Sequence, residues 1–345
     1  MTSINAMKFN DYSGIMMCDE QRGWNEENMK LFVSDKIKPC IPEEITLDTG
    51  LVAAYGNTGT STVGDEIKFT IFKRLREDYS KFKDKCSKVP DHFKTIEELS
   101  VTVFDIIRNM KRTHIDQQLK AKFGFDAIDY LRGSYEEEGK KVEIKDKDTI
   151  TQVLNLITWK DRGADVKPVF LNAGLLAGYD NKEGFRIFHF SLIQFFREAV
   201  QVIYLADGSG YDTVNLHLSD YVSHKSLPER RGNIDPVEGT MELLEALNTA
   251  SRRNVGVGGY YNIILFNGKA KDYKSRMIEI QDHRSRLASE IMYSRSNNLI
   301  SFDTAYSLVD KLLFNNGTFE EVNTLLEKNC SDPLKLSKIL RGYKK

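Results

Sequence analysis

The chain has 345 residues, 41% of them hydrophobic and 29% charged, the profile of a soluble globular protein of one large domain or two ordinary ones. A formal charge of −1 gives no electrostatic reason to expect nucleic acid or an anionic membrane as partner. No stretch approaches the roughly 18 uninterrupted apolar residues that a membrane span needs, and MTSINAMKFNDYSG lacks the apolar core of a signal peptide.

Taken in chain order, the first 60 residues read as short strands. Asn10-Asp11-Tyr12-Ser13-Gly14 is turn chemistry, and Ile15-Met16-Met17-Cys18, an apolar run ending at Asp19, predicts a strand buried on both faces. Leu31-Phe32-Val33 and Leu51 to Tyr55 are two more strand candidates, the second running into a loop from Gly56 to Thr62 that opens a helix over about 63–85. A second helix begins at Thr95, with Glu98 completing a capping box and Leu99, Val103, Ile106, Ile107 and Met110 as its apolar face. From about 117 to 165 the chain is charged and mixed, with a short strand at Val142-Glu143-Ile144, and reads as an insertion. Strands return at 169–177 and 185–190, and Asp207-Gly208-Ser209-Gly210 is a tight glycine loop. Asp235, Pro236 and Glu238 start a helix whose face is Leu243, Leu244, Leu247 and Ala250. Gly256 to Gly259 turns into a strand from Tyr260 to Phe266, and everything after Gly268 reads as helical, with Ser301 and Thr318 as caps. Strands, helices, strands, a helix and strands again predict an α+β fold with helices packed on sheets.

Cys18, Cys40, Cys86 and Cys330 lie too far apart for a disulfide scaffold or a zinc knuckle, which suits a reducing cytosol and makes the cytoplasm the expected location. Six scattered histidines form no helical metal-binding pair, so no metal site is visible. The informative place is the N-terminus. Removal of Met1, normal when the next side chain is small, leaves Thr2 with a free α-amine beside its own hydroxyl. With a pKa of roughly 8 that amine accepts the hydroxyl proton at neutral pH, so the residue carries nucleophile and base together.

The order of motifs around it is the stronger signal. TSINAMKF leads to a turn, then IMMCDEQR, then SDKIKP, then LVAAYGNTGTSTVGDEI; further on come LNAGLLAGYD, ADGSGYD and RRNVGVGGYYNIILF. The series resembles a proteasome β-subunit over residues 2–116 and 166–268. The resemblance implies the four-layer αββα sandwich of the N-terminal-nucleophile (Ntn) hydrolases with additional helices. It divides the chain into a domain at 2–268, interrupted at about 117–165, and a helical extension at 269–345. It also implies hydrolysis of peptide bonds through a threonyl ester, with no cofactor, on a peptide or unfolded protein, by a homo-oligomer for which a ring is one form.

Carried over residue by residue, the resemblance makes Thr2 the nucleophile and base, with Asp19 and Lys36 beneath it. An ammonium there favours the alkoxide, and an ionised Asp19 fixes that charge in place. Gly59 would give the oxyanion its N–H, with Gly56 the alternative, and Ser209 would hydrogen-bond the Thr2 amine. Lys38 and Asn57 match two positions of the specificity pocket. A phosphate-cradling reading of the 56–62 loop lacks the GxxxxGK[ST] lysine and the GxGxxG order. Two positions depart from the family: Asn254 stands where it has an acid and Val257 where it has a serine. Asn254 still offers a carbonyl oxygen but no charge, and Asn254→Asp is expected to raise activity or leave it unchanged. Two rival readings keep the fold: a connectase-like peptide ligase, in which an amine captures the ester, and a non-catalytic scaffold or ring subunit.

Overall fold

The computed structural model describes residues 3–24, 29–31, 36–85, 90–158, 172–191, 196–281 and 283–340. Two five-stranded antiparallel sheets face each other. The first has the order β8-β1-β2-β9-β10, from β1 (Ser3–Asn10), β2 (Ser13–Asp19), β8 (Tyr204–Gly208), β9 (Tyr261–Asn267) and β10 (Met277–Ile280). The second has the order β7-β6-β5-β4-β3, from β3 (Ile37–Pro39), β4 (Val52–Gly59), β5 (Asn172–Asp180), β6 (Gly184–Ser191) and β7 (Phe196–Ala199).

Period-two alternation sorts the side chains of each strand between two cores. Ile4, Ala6, Met16 and Cys18 of the first sheet meet Val52, Ala54, Leu175 and Ala177 of the second in a dry layer between them. The other face of the first sheet, Met7, Met17, Ile263 and Leu265, packs under helices α3 (Tyr211–Ser223) and α4 (Pro236–Arg253) through Val214, Leu218, Met241, Leu244 and Leu247. The outer face of the second, Tyr55, Leu176, Phe188 and Phe190, packs under α1 (Ser61–Lys85) and α2 (Ile96–Phe123) through Ile67, Ile71, Leu99, Val103 and Ile107. Each fully buried side chain of this size contributes about 1.5–3 kcal/mol. The result is the four-layer αββα arrangement that the resemblance implies.

The expected signals operate locally. β2 is buried along its whole length, Thr95 Oγ1 caps α2 by accepting the Glu98 N–H at 3.2 Å, and Asp235 caps α4 through the Glu238 N–H at 2.9 Å. Four elements, α3, β7, β8 and β10, escape a reading by pattern. In α3 only Val214 and Leu218 are buried, and the exposed Leu216 between them blurs the period. β7 and β8 are four and five residues long, too short to alternate visibly. The stretch after Gly268 is not all helical, because β10 adds an edge strand to the first sheet beside β9. The 117–165 region opens as the last turns of α2. A hairpin (Ser134–Glu137 with Lys140–Glu143) and a helix (Lys147–Thr158) follow, and Leu119, Phe125 and Val153 make a small core of their own there. Phe32, Val33 and the start of the 169–177 strand lie outside the described residues.

The C-terminal helices, α5 (His283–Ser296), α6 (Phe302–Val309) and α7 (Phe319–Asn329), share the core of α4. Leu287, Ile291, Leu308 and Leu326 belong to the same cluster as Leu244 and Leu247. One polar node pins them. Asn248, 1% exposed on α4, accepts at Oδ1 from Tyr261 Oη of β9 at 2.8 Å and from Ser289 Oγ of α5 at 2.7 Å. Its Nδ2 donates to the Ser289 carbonyl at 3.1 Å. Asn248→Ala removes the acceptor that the buried Tyr261 hydroxyl shares with Ser289, so urea unfolding should show a loss of about 1–2 kcal/mol. A loss under about 0.5 kcal/mol would mean the node is dispensable.

Candidate active site

Strand register decides which segments converge at one end of the sandwich. Ser3 lies opposite Gly208 on β8, Ile4 opposite Cys18 on β2, and Asp19 opposite Tyr261 on β9. From the second sheet, Ile37 lies opposite Gly56, which sets Lys36 at the mouth between the sheets. The turn from Asn254 to Gly258, between α4 and β9, closes the cluster.

Its centre is a buried ion pair. Lys36 Nζ lies 2.7 Å from Asp19 Oδ1, with exposures of 4% and 0%. Lys36 Nζ also donates to the Gln21 carbonyl at 2.6 Å. Asp19 accepts twice more, from the Ser3 N–H at 2.7 Å on Oδ1 and from the Gly258 N–H at 3.1 Å on Oδ2. Burial pushes the Asp19 carboxyl up from the ordinary carboxylate range, and the Lys36 ammonium is the strongest pull back down. Since all three partners donate, the arrangement is that of a carboxylate. Ser3 is the residue after Thr2, so the N–H that Asp19 holds is that of the Thr2–Ser3 peptide bond. Thr2 itself lies outside the described residues.

The other sequence candidates divide. Ser209 and Asn254 come together: Asn254 Nδ2 donates to the Ser209 carbonyl, and Asn254 Oδ1 accepts the Gly256 N–H at 2.9 Å. The amide thus uses its donor and its acceptor on the backbone of two turns, and an acid at 254 could make only one of those bonds. Val257 is buried, and a Cβ on Gly210 would stand 3.1 Å from its Cγ2 and 2.8 Å from Ser3 Oγ. Glycine is therefore required at 210 for the close approach of β1, the 210 turn and the 257 turn.

Gly59 ends β4 at φ +110°, a conformation that glycine adopts without strain; it is exposed. Gly56 faces the inter-sheet layer, where a Cβ would come within 2.7 Å of Ile37 Cγ2. Asn57 donates its N–H to the Lys36 carbonyl at 3.4 Å, while its side chain is 7% exposed and packed on Gly64. Lys38 is exposed on β3, opposite Tyr55. Cys18 is no rival nucleophile, because burial pushes its thiol up to about 12 and leaves it protonated at neutral pH. Gln21 and Ser3 contact the pair directly and carried no expectation. Gln21 stands in the strand-ending run DEQR, two residues past Asp19, the one signal that could have found it. Among the described residues no group of three His, Cys, Asp or Glu side chains could hold a metal ion, and no helix is long and apolar enough to cross a membrane.

Lys36→Met leaves Asp19 buried without its counter-charge, which should cost about 3–5 kcal/mol in urea unfolding. Adding Asp19→Asn should restore much of that loss, because it removes the uncompensated charge. A Lys36→Met protein as stable as the parent would contradict the buried pair.

No protein-family model matches the chain, and no curated protein matches it in sequence. Solved structures do. Anbu (ancestral β-subunit) from Yersinia bercovieri superposes with a TM-score of 0.50 at 12% identity, covering 86% of this chain and 94% of that one. The Gly-1 mutant of Anbu from Hyphomicrobium sp. strain MC1 gives 0.48 at 11% identity, covering 86% and 97%. The two antiparallel sheets between helix layers and the Yersinia match agree: the chain has the Ntn-hydrolase fold of the ancestral proteasome β-subunit.

Proposed function

We propose that the chain is an N-terminal threonine hydrolase that cleaves peptide bonds with Thr2, once Met1 is removed. The observation that carries this reading is the buried Asp19–Lys36 pair, tied by Asp19 to the peptide N–H of the Thr2–Ser3 bond. Such a pair is costly to bury, and a site that develops negative charge on a hydroxyl oxygen is where an oriented ammonium has most effect. Two of the three Lys36 ammonium hydrogens go to Asp19 and to the Gln21 carbonyl; the third is the one directed at the Thr2 hydroxyl in this reading.

The α-amine of Thr2 takes the hydroxyl proton as Oγ1 adds to the carbonyl carbon of the scissile bond. The oxyanion is met by a backbone N–H of the loop that ends β4, assigned to Gly59. As the C–N bond breaks, the amine returns its proton to the leaving nitrogen, leaving a threonyl ester. Water then adds to the ester with the amine as base, the acid product leaves, and Oγ1 regains a proton. Ser209 and Asn254 shape the turn beside the amine, and Lys38 and Asn57 are assigned to the wall that meets the substrate side chain. The substrate is a peptide or unfolded polypeptide, and the working form is a homo-oligomer in the cytoplasm. A second reading, a non-catalytic scaffold or ring subunit, draws on Val257, a buried isopropyl group where the resemblance calls for a hydroxyl.

Two outcomes test the first reading. Intact mass should show Met1 missing, and a peptide epoxyketone should add to Thr2 at both hydroxyl and amine, with Thr2→Ala unlabelled. No adduct across a range of peptide side chains, in protein shown to lack Met1, would favour the scaffold. Asn254→Asp exchanges the donor to the Ser209 carbonyl for a repelling oxygen. Peptidase turnover should therefore fall about tenfold, the cost of losing roughly one hydrogen bond of positioning; a rise would mean that charge at 254 outweighs the geometry.

A further inference from the structure

Gln21 is 3% exposed and lies between the ion pair and the Asn254–Gly258 turn. Its carbonyl accepts from Lys36 Nζ at 2.6 Å. Its N–H donates to the Gly258 carbonyl at 3.0 Å, and its side-chain Nε2 donates to the Val255 carbonyl at 2.6 Å. Gly258 in turn donates its N–H to Asp19 Oδ2 at 3.1 Å. The bonds form a closed circuit, from Lys36 to Gln21 to Gly258 to Asp19 and back to Lys36. None of these four bonds depends on what side chain stands at 21; the bond that does is the one outside the circuit, from Nε2 to the Val255 carbonyl.

That bond has a narrow geometry. A Cβ on Gly258 would sit 2.6 Å from Gln21 Oε1, so the oxygen end of the amide lies close against Gly258 and its donor end reaches the Val255 carbonyl. Val255 is 72% exposed, so its own side chain holds little of that corner, and the Gln21 amide anchors it between the Asn254 bonds and the buried Val257. Asparagine is one methylene short, glutamate would set an anion against the Val255 carbonyl, and methionine fills the volume without a donor.

We propose that Gln21 is a positioning residue: its side-chain amide locks the α4–β9 turn against its own backbone, and thereby sets the carbonyl that holds Lys36 Nζ and the Gly258 N–H that holds Asp19. It acts through the ion pair and touches no substrate. The kinetic consequence rests on the threonine-hydrolase reading; the structural one does not. Loosening the turn lets Lys36 and Asp19 drift relative to the Thr2–Ser3 peptide, and misplacement of about 1 Å at a reacting centre costs about 100-fold in rate.

The experiment uses the full chain with Gln21→Met and Gln21→Leu, so that one folded variant suffices. Hydrolysis of a fluorogenic peptide is measured beside amide hydrogen exchange at residues 254–260. The expected result is a kcat lower by about 10- to 100-fold with KM within about twofold of the parent, and exchange at Gly258 faster by about tenfold or more. Parental kcat with parental exchange at Gly258 overturns the proposal. So does a raised KM at unchanged kcat, which would make Gln21 a substrate contact. Should the parent neither hydrolyse peptide nor take an epoxyketone on Thr2, the hydrolase reading fails and the exchange decides alone: faster exchange at Gly258 supports the tether, and unchanged exchange overturns it.

Discussion

Between the mouths of the two sheets a carboxylate and an ammonium face each other at 2.7 Å, almost without contact with water. Taking two such ions out of water costs several kcal/mol each, which their attraction offsets only when the remaining hydrogen-bonding capacity is also used. The surroundings read as the means of using it. β1 supplies the Ser3 N–H, the end of β2 supplies Asp19 and the Gln21 carbonyl, and the α4–β9 turn supplies the Gly258 N–H. Lys36 comes from the opposite sheet, so the pair ties the two sheets together at the end where the inter-sheet apolar layer stops.

The fold was legible where a physical constraint acts over a short span. Full burial of β2, the Thr95 and Asp235 caps and the apolar faces of α2 and α4 each follow from a handful of neighbouring residues. Where tertiary contact decides, the pattern is silent. α3 hides because it buries only two of its apolar residues and exposes Leu216. β10 hides because Met277–Ile280 is an edge strand with only Ile280 fully buried, and an edge needs a partner more than a pattern.

Of the candidate site, the meeting of Asp19 with Lys36 and of Ser209 with Asn254 was legible, and the circuit around the pair was not. Asp19 and Lys36 are 17 residues apart, and the motif order placed them together; composition and spacing alone would leave Lys36 a surface lysine. The use made of Asn254 could not be read, because it depends on a backbone carbonyl 45 residues away. Gln21 was equally hidden: its partner, the Val255 carbonyl, is 234 residues distant and has no sequence signature.

The order of the first sheet has a consequence in time. β1 pairs with β2, which follows it at once, and with β8, whose Gly208 stands opposite Ser3. At a synthesis rate of about 5–20 residues per second, some ten to forty seconds separate the emergence of Ser3 from that of its second neighbour. The turn that reaches Asp19 through Gly258 arrives later still. For that interval β1 and β2 stand as a hairpin with both outer edges unpaired, one awaiting β8 and the other β9. β1 becomes an interior strand only when the second half of the chain has been made, so the ion pair at its end is the last part of the sheet to be enclosed.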